Sequence, residues 1–542
     1  MRSTMQDAPL SLATLARYGT TVHGTAEVVT WTGDGARTAT YAEVGRRAAQ
    51  LAHGLRALGV TGDDRVATFM WNNQEHLEAY LAVPAMGAVL HPLNIRLFPD
   101  QLAYIADHAE DKVVIVDGSV LPLLAKVLGQ LTTVQHLVVN GPADLSVIEG
   151  THATVHAYED LLAGRPEEFD WVVLDDETSA AAMCYTSGTT GNPKGVVYSH
   201  RSIYLHSMQV CMPDGFGLSQ ADRLLIIVPM FHVLAWGTPY AAMMCGATMI
   251  MPDRFLAPEP LAQLIETTRP TLAGGVPTIW AGLLAHLEAH PRDVSSMRDA
   301  VVGGSACPRS LMEGLERHGI HLIHAWGMTE TSPLGSISRA PSGTEGEEAW
   351  RYRVTQGRLA AAVEARLVGP DGSVVPRDGM AVGELEVRGP WITGSYFRDD
   401  DPGKFDDGWL RTGDVGTITT DGFLTLTDRS KDVIKSGGEW ISSVELENAL
   451  MAHPAVAEAS VVGVPDEKWG ERPLATVVVK DGETVTVEEL REHLADRVAR
   501  WQLPERWSFI DEVPKTSVGK FDKKVIRRQY ADGALDVQTL DH

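Results

Sequence analysis

A chain of 542 residues is longer than one hydrophobic core ordinarily organises, so two or more domains are expected. A hydrophobic fraction of 44% and a charged fraction of 22% are those of a globular protein. The formal net charge of −25 argues against nucleic acid as a partner, because binding a phosphate backbone rests on Lys and Arg, although a local basic site can still hold an anion the size of a nucleotide.

Along the chain, Thr40-Tyr-Ala-Glu43 has the form of a capping box, and Tyr41, Val44, Ala48, Leu51, Leu55 and Leu58 recur at helical spacing until Gly59. Val66 to Met70 reads as a buried strand, Gln74 to Met86 as a helix, and Ala88 to Leu90 and Lys112 to Val116 as further strands. The alternation continues through Ala180 to Tyr185, Val196 to Tyr198, Arg223 to Val228, Ala247 to Met251, the helix near Pro260 to Thr267, and Ala300 to Val302. Strands alternating with helices predict a doubly wound α/β sheet. The polar stretch Arg339 to Glu348 reads as a loop. From about Gly357 the dipeptides Asp371-Gly372, Asp378-Gly379, Asp407-Gly408 and Asp421-Gly422 punctuate short β-type runs, which predicts a compact β subdomain. After Asp428 the pattern is α+β: a helix over Ser443 to Met451, strands around Ala457 to Val464 and Ala475 to Val479, and helices over Val487 to Arg500 and Asp522 to Tyr530. The boundary falls at Arg429 to Asp432, giving domains of residues 1–430 and 431–542. The fold class expected is therefore α/β, with a large N-terminal domain of doubly wound α/β subdomains plus a β subdomain, and a smaller α+β C-terminal domain, which the family resemblance described below implies is mobile.

Cys184, Cys211, Cys245 and Cys307 have no paired metal-ligand spacing, and scattered thiols in so long a chain fit a reducing cytoplasm. No secretory leader is expected at the N-terminus. The most apolar run, Leu224 to Trp236, is interrupted by Pro229 and His232 and is too short to span a bilayer, so no transmembrane segment is expected.

The stretch with the densest chemistry is Tyr185-Thr-Ser-Gly-Thr-Thr-Gly-Asn-Pro-Lys-Gly195. Glycines let main-chain N–H groups approach an anion closely, the hydroxyls of Thr186, Ser187, Thr189 and Thr190 add donors, and Lys194 adds charge. This reads as a polyphosphate-gripping loop rather than an unliganded hairpin. It is not a Walker A loop, since Pro193 precedes Lys194 and Gly195 follows it, which disfavours a P-loop ATPase or kinase.

The loop resembles the signature of the adenylate-forming superfamily, which includes acyl-CoA synthetases, peptide-synthetase adenylation domains and luciferases. Later motifs follow in that superfamily's order. The resemblance implies that Thr186, Ser187, Gly188, Thr189, Thr190, Gly191 and Lys194 contact ATP. Trp326-Gly-Met-Thr-Glu330 resembles the motif that places an aromatic ring beside adenine (Trp326, with Gly327), a hydroxyl near phosphate (Thr329) and a carboxylate on Mg²⁺ (Glu330, sharing the ion with Thr186). Gly304, Ser305 and Ala306 resemble the loop on the other side of the adenine. Asp414 in Arg411-Thr-Gly-Asp414 resembles the ribose acceptor, and Arg429 its second ribose contact. Lys431 resembles the hinge about which the small domain turns, with Lys435, Gly437, Gly438 and Trp440 beside the nucleotide or the CoA tunnel. Lys520 in Pro514-Lys-Thr-Ser-Val-Gly-Lys520 resembles the adenylation lysine. Its neighbours Lys515, Lys523, Lys524, Arg527 and Arg528 read instead as a solvated helix face.

Pro229-Met-Phe-His-Val-Leu-Ala-Trp236 bears on the acid. Amino-acid-activating relatives carry an aspartate where this chain has His232, and without that carboxylate an ammonium has no buried partner. His232, Trp236 and Gly304 then form the acyl-substrate set, and His232 joins Lys520, Glu330 and Thr186 in the catalytic set. An apolar lining of Val228, Met230, Val233, Leu234, Met243, Met244 and Val276 suits an acyl chain, at roughly 0.8 kcal/mol per buried CH₂. The motifs look most like medium- to long-chain fatty acyl-CoA synthetases, in which the aromatic at the Trp236 place gates the tunnel. An aryl-acid CoA ligase is the alternative within the superfamily, and a luciferase-like oxygenase or a non-catalytic acyl-binding paralogue are the other readings. What is implied is an AMP-forming ligase using ATP, Mg²⁺, a fatty acid and CoA, and a homodimer.

Overall fold

The computed structural model describes residues 1, 3–186, 192–369, 371–399, 401–429, 431–436, 439–495, 497–516 and 521–540. It is mixed α/β, with a large N-terminal domain and a smaller C-terminal one.

Two sheets organise the large domain. The first runs in the order Thr154–Ala157, His136–Asn140, Asp111–Asp117, Arg65–Phe69, Val89–Pro92, Ala180–Tyr185, Gly195–Ser199, and every pairing is parallel except the last. The second contains a parallel run from His321–Gly327 through Asp299–Val302, Leu272–Gly275, Arg223–Leu225 and Thr248–Met251 to Glu27–Trp31. Strands of such sheets are covered on both faces and read as unbroken apolar runs. Asp111–Asp117 shows this: Val113 and Ile115 join the core between the two sheets, whereas Val114 and Val116 join the core on the outer face. The middle core also takes in Tyr41, Leu51 and Leu55 of the helix Tyr41–Ala57, and Leu77 and Tyr80 of the helix Gln74–Ala85, all of whose residues are buried. The capping box at Thr40 is present, with both of its reciprocal hydrogen bonds.

The expected β subdomain has its own core around Leu367, Leu385, Trp391 and Leu410, and its strands extend the second sheet. Leu334–Ile337 pairs antiparallel with the end of His321–Gly327 and with Gly357–Leu359, so the antiparallel strands up to Phe423–Arg429 continue the second sheet without a break. Departures from expectation come from weak local signals. The helix Leu12–Val22 and the strands Glu27–Trp31 and Ala36–Thr40 were not expected, and the last three residues of the stretch read as a loop, 346–348, open the helix Gly346–Arg353. The helix expected to reach Arg500 ends at Ala495.

The C-terminal region has its own six-stranded sheet and its own core around Ile434, Leu446, Val461, Leu490 and Trp507. The first strand of that sheet is Ile434–Ser436.

Candidate active site

Where strands are parallel, ligand sites gather beyond their carboxyl ends. One buried side chain braces the two large sheets there. Asn72 donates through Nδ2 to the carbonyls of Ile226 (2.7 Å) and Val228 (2.8 Å) and accepts from Met230 N–H (2.8 Å), so every group of its amide is used. This fixes the exit of Arg223–Leu225 and aims the chain into His232.

From Val233 to Trp236 four consecutive residues lie in the left-handed region, with φ between 35° and 58°. Such a conformation costs roughly 1–2 kcal/mol per residue and persists only where the surroundings over-determine it. Here Val233, Leu234, Ala235 and Trp236 are all buried, and Thr238 Oγ1 donates to Ala235 O at 2.7 Å. The Trp236 indole lies across the ends of two strands. A Cβ on Gly274 would stand 3.2 Å from its Cε3, and one on Gly303 would stand 3.4 Å from its Cη2. Two glycines thus leave the room the ring fills, and Gly304 follows in the left-handed region at φ 86°. Gly304 and Ala306 are half-buried and Ser305 is exposed, on the loop that leaves this strand. His232 is half-buried, and its backbone N–H donates to Pro229 O at 2.8 Å.

The signature loop is pinned at its base. Thr186 N–H donates to Lys194 O (2.9 Å), and Lys194 N–H donates back to Thr186 Oγ1 (3.0 Å). Ser187, Gly188, Thr189, Thr190 and Gly191 lie outside the described residues. The Lys194 ammonium stands 2.6 Å from Asp401, 3.4 Å from Asp399 and 4.9 Å from the centroid of the Tyr396 ring. Burial works against its charge, but the hydrogen bond to Asp401 and the charges of Asp401 and Asp399 outweigh that and hold its pKa above the ordinary lysine value.

Tyr396 joins this lysine to the second motif. Its hydroxyl donates to Glu330 Oε1 at 2.7 Å, while its ring faces Lys194. Glu330 is buried in a 3₁₀ turn, Thr329–Thr331, that is fastened at both flanks: Tyr198 OH donates to Thr329 O (2.7 Å) and Thr393 N–H donates to Glu330 O (2.8 Å). Among the described residues, no group hydrogen-bonds the second oxygen of Glu330, and no cluster of three or more His, Cys, Asp and Glu side chains is placed to hold a metal. One carboxylate and the Thr186 hydroxyl form an oxygen-only donor set, which suits Mg²⁺ when phosphates and water complete the shell.

The ribose candidates meet as well. Trp326 Nε1 donates to Asp414 Oδ2 at 2.7 Å, and Arg429 Nε lies 3.2 Å from Asp414 Oδ1, across a ladder in which Asp414 and Arg429 are register partners. Asp414's charge is the chief reason the Arg429 pKa lies above its usual value. Trp326 lies near the end of the strand His321–Gly327, and it packs so closely on Gly335 that no Cβ would fit there. Gly327, the last residue of that strand, is half-buried, as is Thr329.

Lys431 is exposed, yet the surrounding chain desolvates its ammonium and Arg429, Lys524 and Arg527 repel it, so its pKa lies below the ordinary value. Lys435 and Trp440 are register partners in the hairpin of Ile434–Ser436 and Glu439–Ile441. Their side chains, like Gly437, Gly438 and Lys520, lie outside what is described. Lys515 and Phe521 are joined by an isolated bridge, and Lys515, with Thr516, Lys524 and Arg528, faces Arg96 and Phe98 of the large domain across a cleft of about 490 Å³.

Of the basic residues expected to form a solvated face, Lys515, Lys524 and Arg528 are exposed, whereas Lys523 and Arg527 of the helix Lys523–Ala531 are half-buried and paired. Lys523 is half-buried, 2.9 Å from Glu447 and hydrogen-bonded to Ser443, whose N–H and hydroxyl both donate to Asp428. Arg527 pairs with Asp432 at 2.9 Å and Lys515 with Glu458 at 2.8 Å. Apolar positions of so short a helix leave its charged residues nowhere obvious to go, and only the fold supplies Asp428 and Glu447.

Residues 19–397 match the family model described as AMP-binding enzyme, and residues 445–520 match the model described as AMP-binding enzyme C-terminal domain. The chain belongs to the AMP-binding enzyme family. Relatives within it include a long-chain-fatty-acid–CoA ligase of Thermus thermophilus, 47% identical over 97% of both chains. A medium-chain-fatty-acid–CoA ligase of Ectopseudomonas oleovorans is 43% identical over 98% of both. A 3-methylmercaptopropionyl-CoA ligase of Ruegeria pomeroyi is 45% identical over 98% of this chain and 99% of that one. Among solved AMP-binding structures, the anthranilate CoA ligase AuaEII in complex with anthranoyl-AMP superposes with a TM-score of 0.87 at 26% identity, covering 98% of this chain and 100% of the other.

Tyr396, Asp399 and Asp401 were missed in the sequence. Ser395-Tyr-Phe-Arg-Asp-Asp400 has neither glycine punctuation nor periodicity to mark it.

Proposed function

We propose that this chain is an ATP-dependent, AMP-forming acyl-CoA synthetase that prefers medium- to long-chain fatty acids. The observation that carries the reading is the Lys194–Tyr396–Glu330 bridge, which draws the base of the signature loop and the metal-ligand carboxylate into one site. The full-length relatives at 43–47% identity, all named for CoA ligases of aliphatic acids, support the same conclusion and disfavour an aryl acid.

In the first half-reaction a carboxylate oxygen attacks the α-phosphorus of ATP and pyrophosphate leaves. Lys194 and the loop N–H groups neutralise charge on the phosphates, and Lys520 stabilises the charge that develops between carboxylate and α-phosphate. Asp414 receives the ribose hydroxyls. Trp326 and Arg429 each take one lone pair of that carboxylate, which orients it and leaves acceptor capacity on both oxygens. Mg²⁺, held by Glu330 and Thr186, would neutralise pyrophosphate charge. Trp236 and His232 line the acyl side. In the second half-reaction the C-terminal domain turns about Lys431, Lys520 withdraws, and the CoA sulfur attacks the acyl carbon with AMP as leaving group. Domain rotation is plausible because one lysine cannot occupy the adenylate while the thiol approaches.

Among the described residues no helix is long and apolar enough to cross a membrane. We place the enzyme in the cytoplasm, in keeping with its unpaired cysteines, and expect a homodimer by family resemblance.

A short thioether acid is the second reading, favoured by the Ruegeria relative. A substrate panel from 3-methylmercaptopropionate to palmitate, scored by AMP release with CoA present, separates the two. Highest kcat/KM at eight carbons or more supports the fatty-acid reading, and release of ADP in place of AMP overturns the two-step scheme.

A further inference from the structure

Two of the four cysteines stand together, on elements that the mechanism does not use. Cys211 is the last residue of the helix His200–Cys211, and Cys245 the last of the helix Thr238–Cys245. They are 34 positions apart in sequence, yet the two helices pack side by side. Cys211 Sγ donates to the Ala241 carbonyl of the neighbouring helix at 3.5 Å, and Cys245 Sγ donates to the adjacent Ala242 carbonyl at 3.9 Å, so both thiols sit against the same turn. Both residues are half-buried and so open to small solutes, whereas Cys184 and Cys307 are buried and isolated from other thiols.

We propose that Cys211 and Cys245 form a redox-modification site at which a hydroperoxide converts two thiols into one intramolecular disulfide. The chemistry is asymmetric. A hydrogen bond from Cys211 lowers the Cys245 pKa, while the same contact, with burial, raises that of Cys211. Cys245 is therefore the thiolate-forming partner and Cys211 the resolving one. By contrast, burial pushes the Cys184 thiol up to about 12. The Cys245 thiolate attacks the terminal oxygen of the hydroperoxide, breaking the O–O bond, so that the alcohol departs with a proton from solvent and a sulfenic acid remains. The Cys211 sulfur then attacks the Cys245 sulfur, forming the S–S bond and displacing water. The balance is two thiols and one hydroperoxide in, one disulfide, one alcohol and one water out.

The bond would tie together the C-terminal ends of two helices that flank the strained turn. His206 of the first helix accepts from Leu334 N–H at 3.0 Å, and its ring fills the space beside Gly237 where the second helix starts.

The test uses the full-length protein treated with tert-butyl hydroperoxide, then denatured without reductant for thiol titration and peptide mapping. Two of the four thiols should disappear. A cross-linked peptide pair carrying Cys211 and Cys245 should form, and dithiothreitol should reverse both changes. In Cys211→Ser, oxidation should stop at a sulfenic acid on Cys245 that dimedone traps. Four surviving thiols, a cross-link through Cys184 or Cys307, or wild-type Cys245 accumulating as sulfinic acid without a cross-link would each overturn the proposal. Because the wild-type protein alone decides the matter, a variant that fails to fold leaves the outcome intact.

Discussion

Tyr396→Phe isolates the contact on which the site geometry turns. The substitution keeps the ring 4.9 Å from the Lys194 ammonium and removes only the hydroxyl, which donates to Glu330 at 2.7 Å. A hydrogen bond to a charged group contributes about 1.5–3 kcal/mol, and each 1.4 kcal/mol is tenfold in rate. If Glu330 must be held in one orientation for adenylation, the loss is therefore roughly ten- to hundredfold in the first half-reaction. Single-turnover formation of acyl-adenylate, measured by quenched flow with labelled ATP, gives that rate directly. Starting from pre-formed acyl-adenylate, transfer to CoA should change little, because no pyrophosphate remains to be neutralised. Thermal unfolding of the same variant controls for packing. An adenylation rate within twofold of wild type, with Tyr396→Phe folded, would refute the role assigned to the bridge.

Three further outcomes are expected. Lys520→Ala should slow adenylation by about 10²–10³, in line with loss of one transition-state donor, and spare thioester formation from pre-formed adenylate; equal loss in both half-reactions would contradict its assignment. Lys523→Met should destabilise the C-terminal domain by about 3–5 kcal/mol in urea unfolding, because Glu447 and Asp428 are left buried without their cation; a change under 1 kcal/mol would show that pairing to be unimportant. Finally, burial holds His76, His200 and His324 at about 4 and His206 at about 3. Folded pKa values below the unfolded value of about 6.5 mean that the unfolded chain binds more protons under that pH. Stability is therefore full above about pH 6.5 and falls as pH drops towards the folded values, by at most about 1.4 kcal/mol per pH unit for each histidine. His206→Gln keeps an acceptor for Leu334 N–H and should flatten the slope between pH 6.5 and 5 in thermal melts. An unchanged slope would refute it.

What could be read in the sequence was what one short stretch contains. Thr186 to Lys194, Trp326 to Glu330 and Arg411 to Asp414 each carry their chemistry within a few residues, and the fold brings Lys194 to the ring and Glu330 to the hydroxyl of Tyr396, and Trp326 and Arg429 onto Asp414. The parallel strands were legible for a related reason: a strand covered on both faces is an unbroken apolar run. Features assembled across the chain were hidden. Tyr396 sits in a run with no pattern, Asn72 braces residues more than 150 positions away, and Lys523 finds Glu447 only through the fold. The helix Leu12–Val22 contains Gly19 and adjacent threonines, which weaken helical propensity, and its stability comes from burying Leu12 and Leu15. The continuity of the second sheet was equally invisible, since Leu334–Ile337 is short and its partners lie on either side of a helix.

The central claim is that a carboxylate attacks the α-phosphorus of ATP at this site. Incubating the enzyme with ¹⁸O-carboxyl-labelled fatty acid, MgATP and CoA tests it most directly, by mass spectrometry of the nucleotide product. Attack at the α-phosphorus places one labelled oxygen in AMP. Label absent from AMP, or recovered in inorganic phosphate alongside ADP, would contradict the account.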